Sequence, residues 1–179
     1  MLGLAFHPNY ATNRHFYIFY SVKIGNTVYE RVSRFTTQSG NPALADSGSE
    51  LVLLQQLDEA DNHNGGDLDI GKDGYLYIAV GDAGRAVCWK SSTGEELWNE
   101  KVDREFYGSP VMADSRIYVT SKAGVTSVFE ATPEKFTLLG QNPLGDESFS
   151  TPAICDNRIY LRSAKTSPTR QEFLWCVGE

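Results

Sequence analysis

A repeated segment in the second half of the chain constrains the fold more than any other feature of the sequence. The twelve residues at 108–119, GSPVMADSRIYV, recur at 150–161 as STPAICDNRIYL, an offset of 42 residues. The strand-turn signal DGYLY at 73–77 likewise precedes DSRIY at 114–118 by 41 residues. A repeat of about 40 to 45 residues that holds four strands is typical of a β-propeller, in which each repeat forms one blade.

The remaining sequence shows the same succession of short strands and turns. Runs such as Tyr75–Val80 are rich in aromatic and β-branched residues, and turn residues such as those at 73–74 and 156–157 separate them. We find no convincing amphipathic helix. The sequence therefore predicts an all-β fold, a β-propeller or partial propeller of about four four-stranded blades whose last blade lacks its outer strand. The first unit is longer than the others, and its extra length is predicted to lie in a polar loop at 38–49.

Composition limits the classes of partner and location. A chain of 179 residues is predicted to form one domain, and its net charge of −7 argues against nucleic acid or an anionic membrane as the main partner. No apolar run approaches the roughly 20 residues of a membrane helix, so no membrane span is expected. No signal peptide is visible, because Met1 is followed at once by a strand-like segment without basic residues.

Three cysteines, Cys88, Cys155 and Cys176, allow at most one disulfide and leave one thiol over. A bridge between Cys155 and Cys176 is conceivable because both fall in the same C-terminal repeat. We favour the interpretation that the thiols are buried and act as small hydrophobic side chains.

The stretch 61–84, DNHNGGDLDIGKDGYLYIAVGDAG, contains the residues best suited to chemistry. It reads as a strand, a tight turn at 72–74 and a second strand. His63 precedes the first strand and Asp82 follows the second, and a hairpin brings those two ends to the same rim of a sheet. A histidine and a carboxylate at that rim could act as a general base and the residue that orients it.

This stretch also resembles the glucose/sorbosone dehydrogenase family, the soluble sugar dehydrogenases that use pyrroloquinoline quinone (PQQ). The resemblance rests on the pattern H-N-G-G-x-L-x-x-G-x-D-G-x-L-Y-x-x-x-G-D-x-G and on LGLAFHPNY at 2–10 followed by FYIFY at 16–20. It covers residues 1–85. Two separated motifs in the family's order make it fairly specific.

The resemblance implies an activity and a set of site residues. It implies that His63 takes a proton from a sugar hydroxyl while hydride passes to the quinone, and that Asp82 holds the histidine. It also implies that Asn64 and Arg85 bind the cofactor. The expected cofactors are PQQ and calcium, the expected substrate is a sugar or polyol, and the expected location is periplasmic or secreted. We assign no metal-ligating residue, because the acidic and amide side chains around His63 are better interpreted as a solvated rim than as a cation site.

Residues 86–179 resemble a different family, the repeats of quinoprotein alcohol dehydrogenases. AVCWKSSTGEELW at 86–98 fits the pattern A-x-x-x-x-x-x-T-G-x-x-x-W, in which the tryptophan packs between neighbouring blades. The same repeat occurs in an outer-membrane assembly lipoprotein that has this propeller without the cofactor, so it indicates the fold more strongly than PQQ. The chain thus divides into segments 1–85 and 86–179, predicted to form one continuous propeller.

Two functional hypotheses remain open from the sequence. In the first, the chain is a PQQ-dependent sugar dehydrogenase-like enzyme. In the second, it is a non-catalytic propeller scaffold or a truncated fusion that has lost the cofactor site, because the later blades that supply most quinone ligands in the family are replaced here. The blades could close as a ring of four, pair with a second chain in a homo-oligomer that completes the propeller, or remain an open arc.

Overall fold

A computed structural model describes residues 3–58, 68–80 and 84–178, and of Val80 only the backbone. These residues form four antiparallel sheets, and within each sheet the strands follow the order of the sequence. The only helix in the described ranges is the four-residue α1 (Tyr10–Asn13). The fold is therefore all-β and propeller-like, with about four blades, as the repeat predicts. No described helix is long and apolar enough to cross a membrane.

The first blade contains strands β1 (Gly3–Phe6), β2 (His15–Ile24), β3 (Thr27–Gln38) and β4 (Asn41–Leu57). The prediction of a loop at 38–49 was wrong, because β4 begins at Asn41 and pairs with β3 through three irregularities of register. Side chains stabilise these irregularities: the amide of Gly48 donates to Asp46 Oδ1, and Ser49 Oγ donates to the carbonyl of Asp46. The polar composition reflects exposure of the extended hairpin rather than a loop.

The second blade contains β5 (Leu68–Ile70), β6 (Tyr75–Val80), β7 (Arg85–Lys90) and β8 (Glu95–Lys101). Its two inner strands come from the motif-bearing stretch and its two outer strands from the tryptophan-containing repeat. All six residues of β7 pair with β6, from Arg85 opposite Val80 to Lys90 opposite Tyr75. The boundary between the two segments that resemble different families, 1–85 and 86–179, therefore lies inside one continuous sheet.

The third and fourth blades contain the two copies of the repeated segment. The third has β9 (Val111–Ala113), β10 (Arg116–Thr120), β11 (Val125–Glu130) and β12 (Leu138–Pro143), and the fourth has only β13 (Ala153–Cys155), β14 (Arg158–Lys165) and β15 (Gln171–Val177). The two-residue turns match closely, with φ values of 48° and 58° at 114–115 and of 49° and 58° at 156–157. Two successive positive φ angles are what a tight hairpin turn of this kind requires.

Blade two holds the molecule together because both of its faces are buried. One face packs on blade one, and the other packs on blade three. The side chains alternate between these faces with the period of two that a strand imposes. The first core contains Tyr17, Phe19, Val32, Leu68, Leu76, Ile78, Val87 and Trp89, and the second contains Tyr77, Ala79, Ala86, Cys88, Trp98, Phe106, Ile117, Val119 and Phe129.

Backbone hydrogen bonds tie the loops that enter blades three and four to those blades. The amide of Lys122 donates to the carbonyl of Glu105 at 2.9 Å, and 42 residues later the amide of Ala164 donates to the carbonyl of Glu147 at 2.8 Å. The amide of Ser109 also donates to Thr151 Oγ1 at 2.9 Å. Each entry loop is thus tied to its own blade by an equivalent bond, and the bond from Ser109 to Thr151 links blades three and four.

All three cysteines are free thiols, but only Cys88 is buried. The interpretation of buried thiols is confirmed for Cys88 and wrong for Cys155 and Cys176. Those two lie on the first and last strands of blade four, on either side of β14, and no further blade covers that sheet in this chain.

Candidate functional site

The predicted catalytic residues flank the β5–β6 hairpin. Leu68 lies opposite Ile78 in this hairpin, so the chain enters β5 and leaves β6 at the same edge of the sheet. We call this edge the upper rim. His63, Asn64 and Asp82 lie outside the described residues, in the segments that immediately precede β5 and follow β6. Their roles stay predictions, and the described hairpin brings the ends of these two segments together.

Arg85 is the one predicted site residue whose side chain the structure describes. It is the first residue of β7, at the upper rim, and it is half-buried. Its Nε donates to Asn99 Oδ1 at 2.6 Å and its Nη2 donates to the carbonyl of Asn99 at 2.8 Å. Both acceptors are uncharged, and no described carboxylate forms an ion pair with Arg85. Among the described residues, the guanidinium of Arg85 therefore has an uncharged partner.

Gly84 fixes the backbone immediately after the segment that holds Asp82. It has φ of 59°, and its carbonyl accepts bonds from the amides of Val102 and Asp103 at 3.0 and 3.1 Å. A Cβ at this position would overlap the backbone of Asp103 and Arg104. The second glycine of the G-D-x-G motif is thus required by a close backbone approach.

A cavity of about 400 Å³ lies along the same rim, between the loop after β8 and the turns of blades three and four. Its wall carries both signs of charge, including Glu105 and Lys122, whose Oε2 and Nζ are 3.1 Å apart. The hydrogen bond from Lys122 to Glu105 raises the pKa of Lys122, which also lies over the ring of Tyr107. Two other acidic residues of the wall have partners as well: Glu147 pairs with Arg170, and Asp146 Oδ1 accepts the amide of Thr166 at 2.8 Å.

Two other carboxylates of the motif stretch have structural roles. Asp69 Oδ2 accepts the amide of Met112 at 3.0 Å and so links blade two to blade three. Asp73, in the turn at the opposite rim, accepts the amide of Tyr75 and the hydroxyl of Tyr77, both at 3.0 Å. Sequence reasoning missed the roles of Asp69 and Asn99, because their partners are identified only by the packing and register of the strands.

The part of the chain that the structure describes contains no cluster of acidic, histidine or cysteine side chains for calcium. Across 3–58, 68–80 and 84–178, no group of three or more His, Cys, Asp or Glu side chains could hold a metal ion.

The family model of the glucose/sorbosone dehydrogenases matches residues 1–97, more than half of the chain. This chain belongs to the glucose/sorbosone dehydrogenase family. The match continues past residue 85, where the resemblance ended by motif, and includes β7 with Arg85. The resemblance inferred from the two motifs is therefore confirmed.

Curated relatives match about half of the chain. The hedgehog-interacting proteins of mouse and human are each 38% identical over 88 residues, which is 46% of this chain and 13% of theirs. The chain thus spans about an eighth of the length of these relatives.

Solved structures share the fold at low sequence identity. The PQQ-bound aldose sugar dehydrogenase of Streptomyces coelicolor aligns with a TM-score of 0.61 and 14% identity over 96% of this chain and 66% of that one. A computationally designed protein aligns with a TM-score of 0.52 and 15% identity over 88% of this chain and 89% of that one. Identities this low show the fold alone.

Proposed function

We propose that this chain carries the base-bearing rim of a PQQ-dependent sugar dehydrogenase, acting on a sugar or polyol. The family match supports this most directly, because it includes the motif stretch with His63 and Asp82. The register of the β5–β6 hairpin adds a geometric reason, since it joins both flanking segments to one edge of blade two.

In this proposal the chain's own residues handle the proton. The imidazole of His63 accepts the proton of the substrate hydroxyl whose carbon gives up hydride. The carboxylate of Asp82 accepts the other ring N–H, which fixes the tautomer and stabilises the imidazolium once it forms. The bound quinone supplies the two-electron acceptor that no side chain can provide.

The charge at the upper rim suits an anionic cofactor. PQQ carries carboxylates, and Arg85 holds a positive charge that its partner Asn99 does not neutralise. We propose that Arg85 and Asn64 bind the quinone, and that calcium, if it takes part, uses ligands from outside the described residues. A periplasmic or secreted location follows from the family by analogy and is tested by fractionating the source cells.

The test is calorimetric titration of the purified chain with PQQ in the presence of calcium. Sugar oxidation is measured in parallel by the reduction of a dye. We expect saturable quinone binding. His63→Ala should lower turnover by about 10²- to 10⁴-fold, the usual contribution of a general base, and leave quinone affinity nearly unchanged. The matched control is His15→Ala, because His15 lies at the start of β2 on the opposite rim. Absence of saturable binding at high micromolar quinone would exclude the proposal.

The second candidate is a non-catalytic propeller. The observation that favours it is that the curated relatives of this segment are named for an interaction, with hedgehog, rather than for a reaction. In that case the chain should fold normally and bind no quinone, and His63→Ala should change neither its stability nor any binding property.

A further inference from the structure

The outer face of blade one exposes apolar side chains beside a polar cluster in which Tyr20 and Arg31 contact Glu50. Leu4, Ile18, Ser33 and Val52 lie opposite one another across all four strands, and Phe6 lies opposite Phe16, which lies opposite Phe35 on β3. Leu4 is 43% exposed, Phe6 53% and Val52 41%, whereas Tyr17 and Phe19 on the reverse face of β2 are fully buried against blade two. We call this surface, formed by Leu4, Phe6, Ile18 and Val52, the leading face; Ser33, between Ile18 and Val52, is fully buried and donates to Glu50.

The outer face of blade four is also uncovered. Tyr160 lies opposite Cys176, and Arg162 lies opposite Leu174, on the side of β14 that faces away from blade three. Leu174 is 74% exposed, the largest value among the exposed large hydrophobic residues of the described chain. We call this surface, formed by Tyr160, Arg162, Leu174 and Cys176, the trailing face.

The contacts between blades inside the chain show which kind of surface packs on each of these two faces. Blade two presents Leu76 and Ile78 to the blade before it, and Tyr77 and Ala79 to the blade after it. The leading face occupies the position that, in blade two, packs on a preceding blade, and the trailing face occupies the position that packs on a following one. The exposure of Leu4 and Leu174 shows that the two faces do not cover each other within one chain.

Charged side chains on the two faces are compatible with this contact. Arg31 and Glu50, on the leading side of blade one, form an ion pair, and Arg162 and Glu172, on the trailing side of blade four, form another. On the trailing side Glu172 also pairs with Arg170, so each side carries charges of both signs that can be exchanged across a contact.

We propose that two copies of this chain associate head to tail, the trailing face of each packing on the leading face of the other. Two such contacts, related by a two-fold axis, close a ring of about eight blades, which lies within the usual range for propellers. The partner is a second copy because the contact repeats the blade-to-blade packing that the chain already contains. This association depends neither on quinone binding nor on His63.

Sedimentation velocity of the intact chain over a range of concentrations tests the proposal. We expect a dimer, and we expect Leu4→Asp and Leu174→Asp each to weaken it by about tenfold or more, because each places a charge in an apolar contact. Val52→Lys is a second variant of the leading face. Leu139→Asp is the matched control, since Leu139 is 47% exposed but lies on the outer strand of blade three. Thermal melts show whether each variant is folded.

Mixing the two variants distinguishes head-to-tail association from symmetric alternatives. Leu4→Asp leaves the trailing face unchanged, and Leu174→Asp leaves the leading face unchanged. A mixture of the two variants should therefore form a mixed dimer through one intact contact. In the wild-type dimer, maleimide should label Cys176 more slowly than in the monomer. A chain that stays monomeric up to about 100 μM overturns the proposal. A dimer that is weakened by only one of the two variants also overturns it, because such a dimer would join two like faces. An open filament overturns it as well, because the proposal requires a closed ring.

Discussion

At the scale of single residues, Trp98 is the clearest example of a side chain that joins two blades. Its indole Nε1 donates to the carbonyl of Thr132 at 2.8 Å, and its ring contacts Phe129 and Phe136 edge-on at centroid distances of 6.1 and 5.5 Å. Trp98 belongs to β8 of blade two, and all three partners follow in the chain within or after β11 of blade three. The sequence motif predicted this packing, and the structure adds the hydrogen bond that orients the indole.

Two substitutions at Trp98 should separate packing from hydrogen bonding. Trp98→Ala should lower the free energy of unfolding by about 3–5 kcal/mol because it opens a cavity between blades. Trp98→Phe should cost about 1–3 kcal/mol, since the carbonyl of Thr132 loses its partner. Trp175→Phe is the comparison, because Trp175 donates to Ser163 Oγ at 2.8 Å in the last blade. Denaturant unfolding measures all three, and equal losses for the two phenylalanine variants would argue against a special role for Trp98.

The thiols give a second prediction at this scale. Burial raises the pKa of Cys88 to about 12, whereas Cys155 and Cys176 are exposed. Below the pKa of Cys88 its thiol stays protonated, so between pH 7 and 9 iodoacetamide should modify two thiols per chain of the native monomer. Three should react in denaturant. Mass spectrometry counts them, and rapid native modification of Cys88 would contradict its burial.

At the scale of elements, the backbone immediately before β7 requires glycine at position 84. Gly84→Ala should destabilise the chain by about 2–4 kcal/mol, because positive φ and the overlap with the 103–104 backbone act together. Gly25→Ala is the matched control, since Gly25 has a similar φ of 62° but open space around it. Its cost should be about 1–2 kcal/mol, the strain of the backbone alone. Similar melting temperatures for the two variants would refute the close approach.

The same elements show how far sequence reasoning reaches. The repeat predicted the fold, the matching turns at 114–115 and 156–157 and the missing outer strand of blade four, because each follows from local residue types. It failed for β4, where exposed polar residues resemble a loop although their backbone pairs with β3. At the site, the motif predicted the hairpin and the flanking positions of His63 and Asp82. The contact between Arg85 and Asn99 depends on the register of β7 and β8, which no local pattern specifies.

At the scale of the whole molecule, blade two separates two cores that share no residue. A disturbance in one core should therefore stay largely in the blades that form it, as in other repeat folds whose units contact mainly their neighbours. Blade two itself belongs to both cores, so it should respond to a disturbance in either one.

Hydrogen exchange on Phe129→Ala and Phe19→Ala tests this division. Each substitution removes a fully buried ring, one from each core, at a cost of about 3–5 kcal/mol. Phe129→Ala should lower the protection of β10 and β11 and of blade two, and leave β2 and β3 protected. Phe19→Ala should do the reverse, exposing β2 and β3 while β10 and β11 stay protected. If either variant lowers protection equally in all four sheets, the blades unfold as one cooperative unit, and the two cores are coupled through blade two.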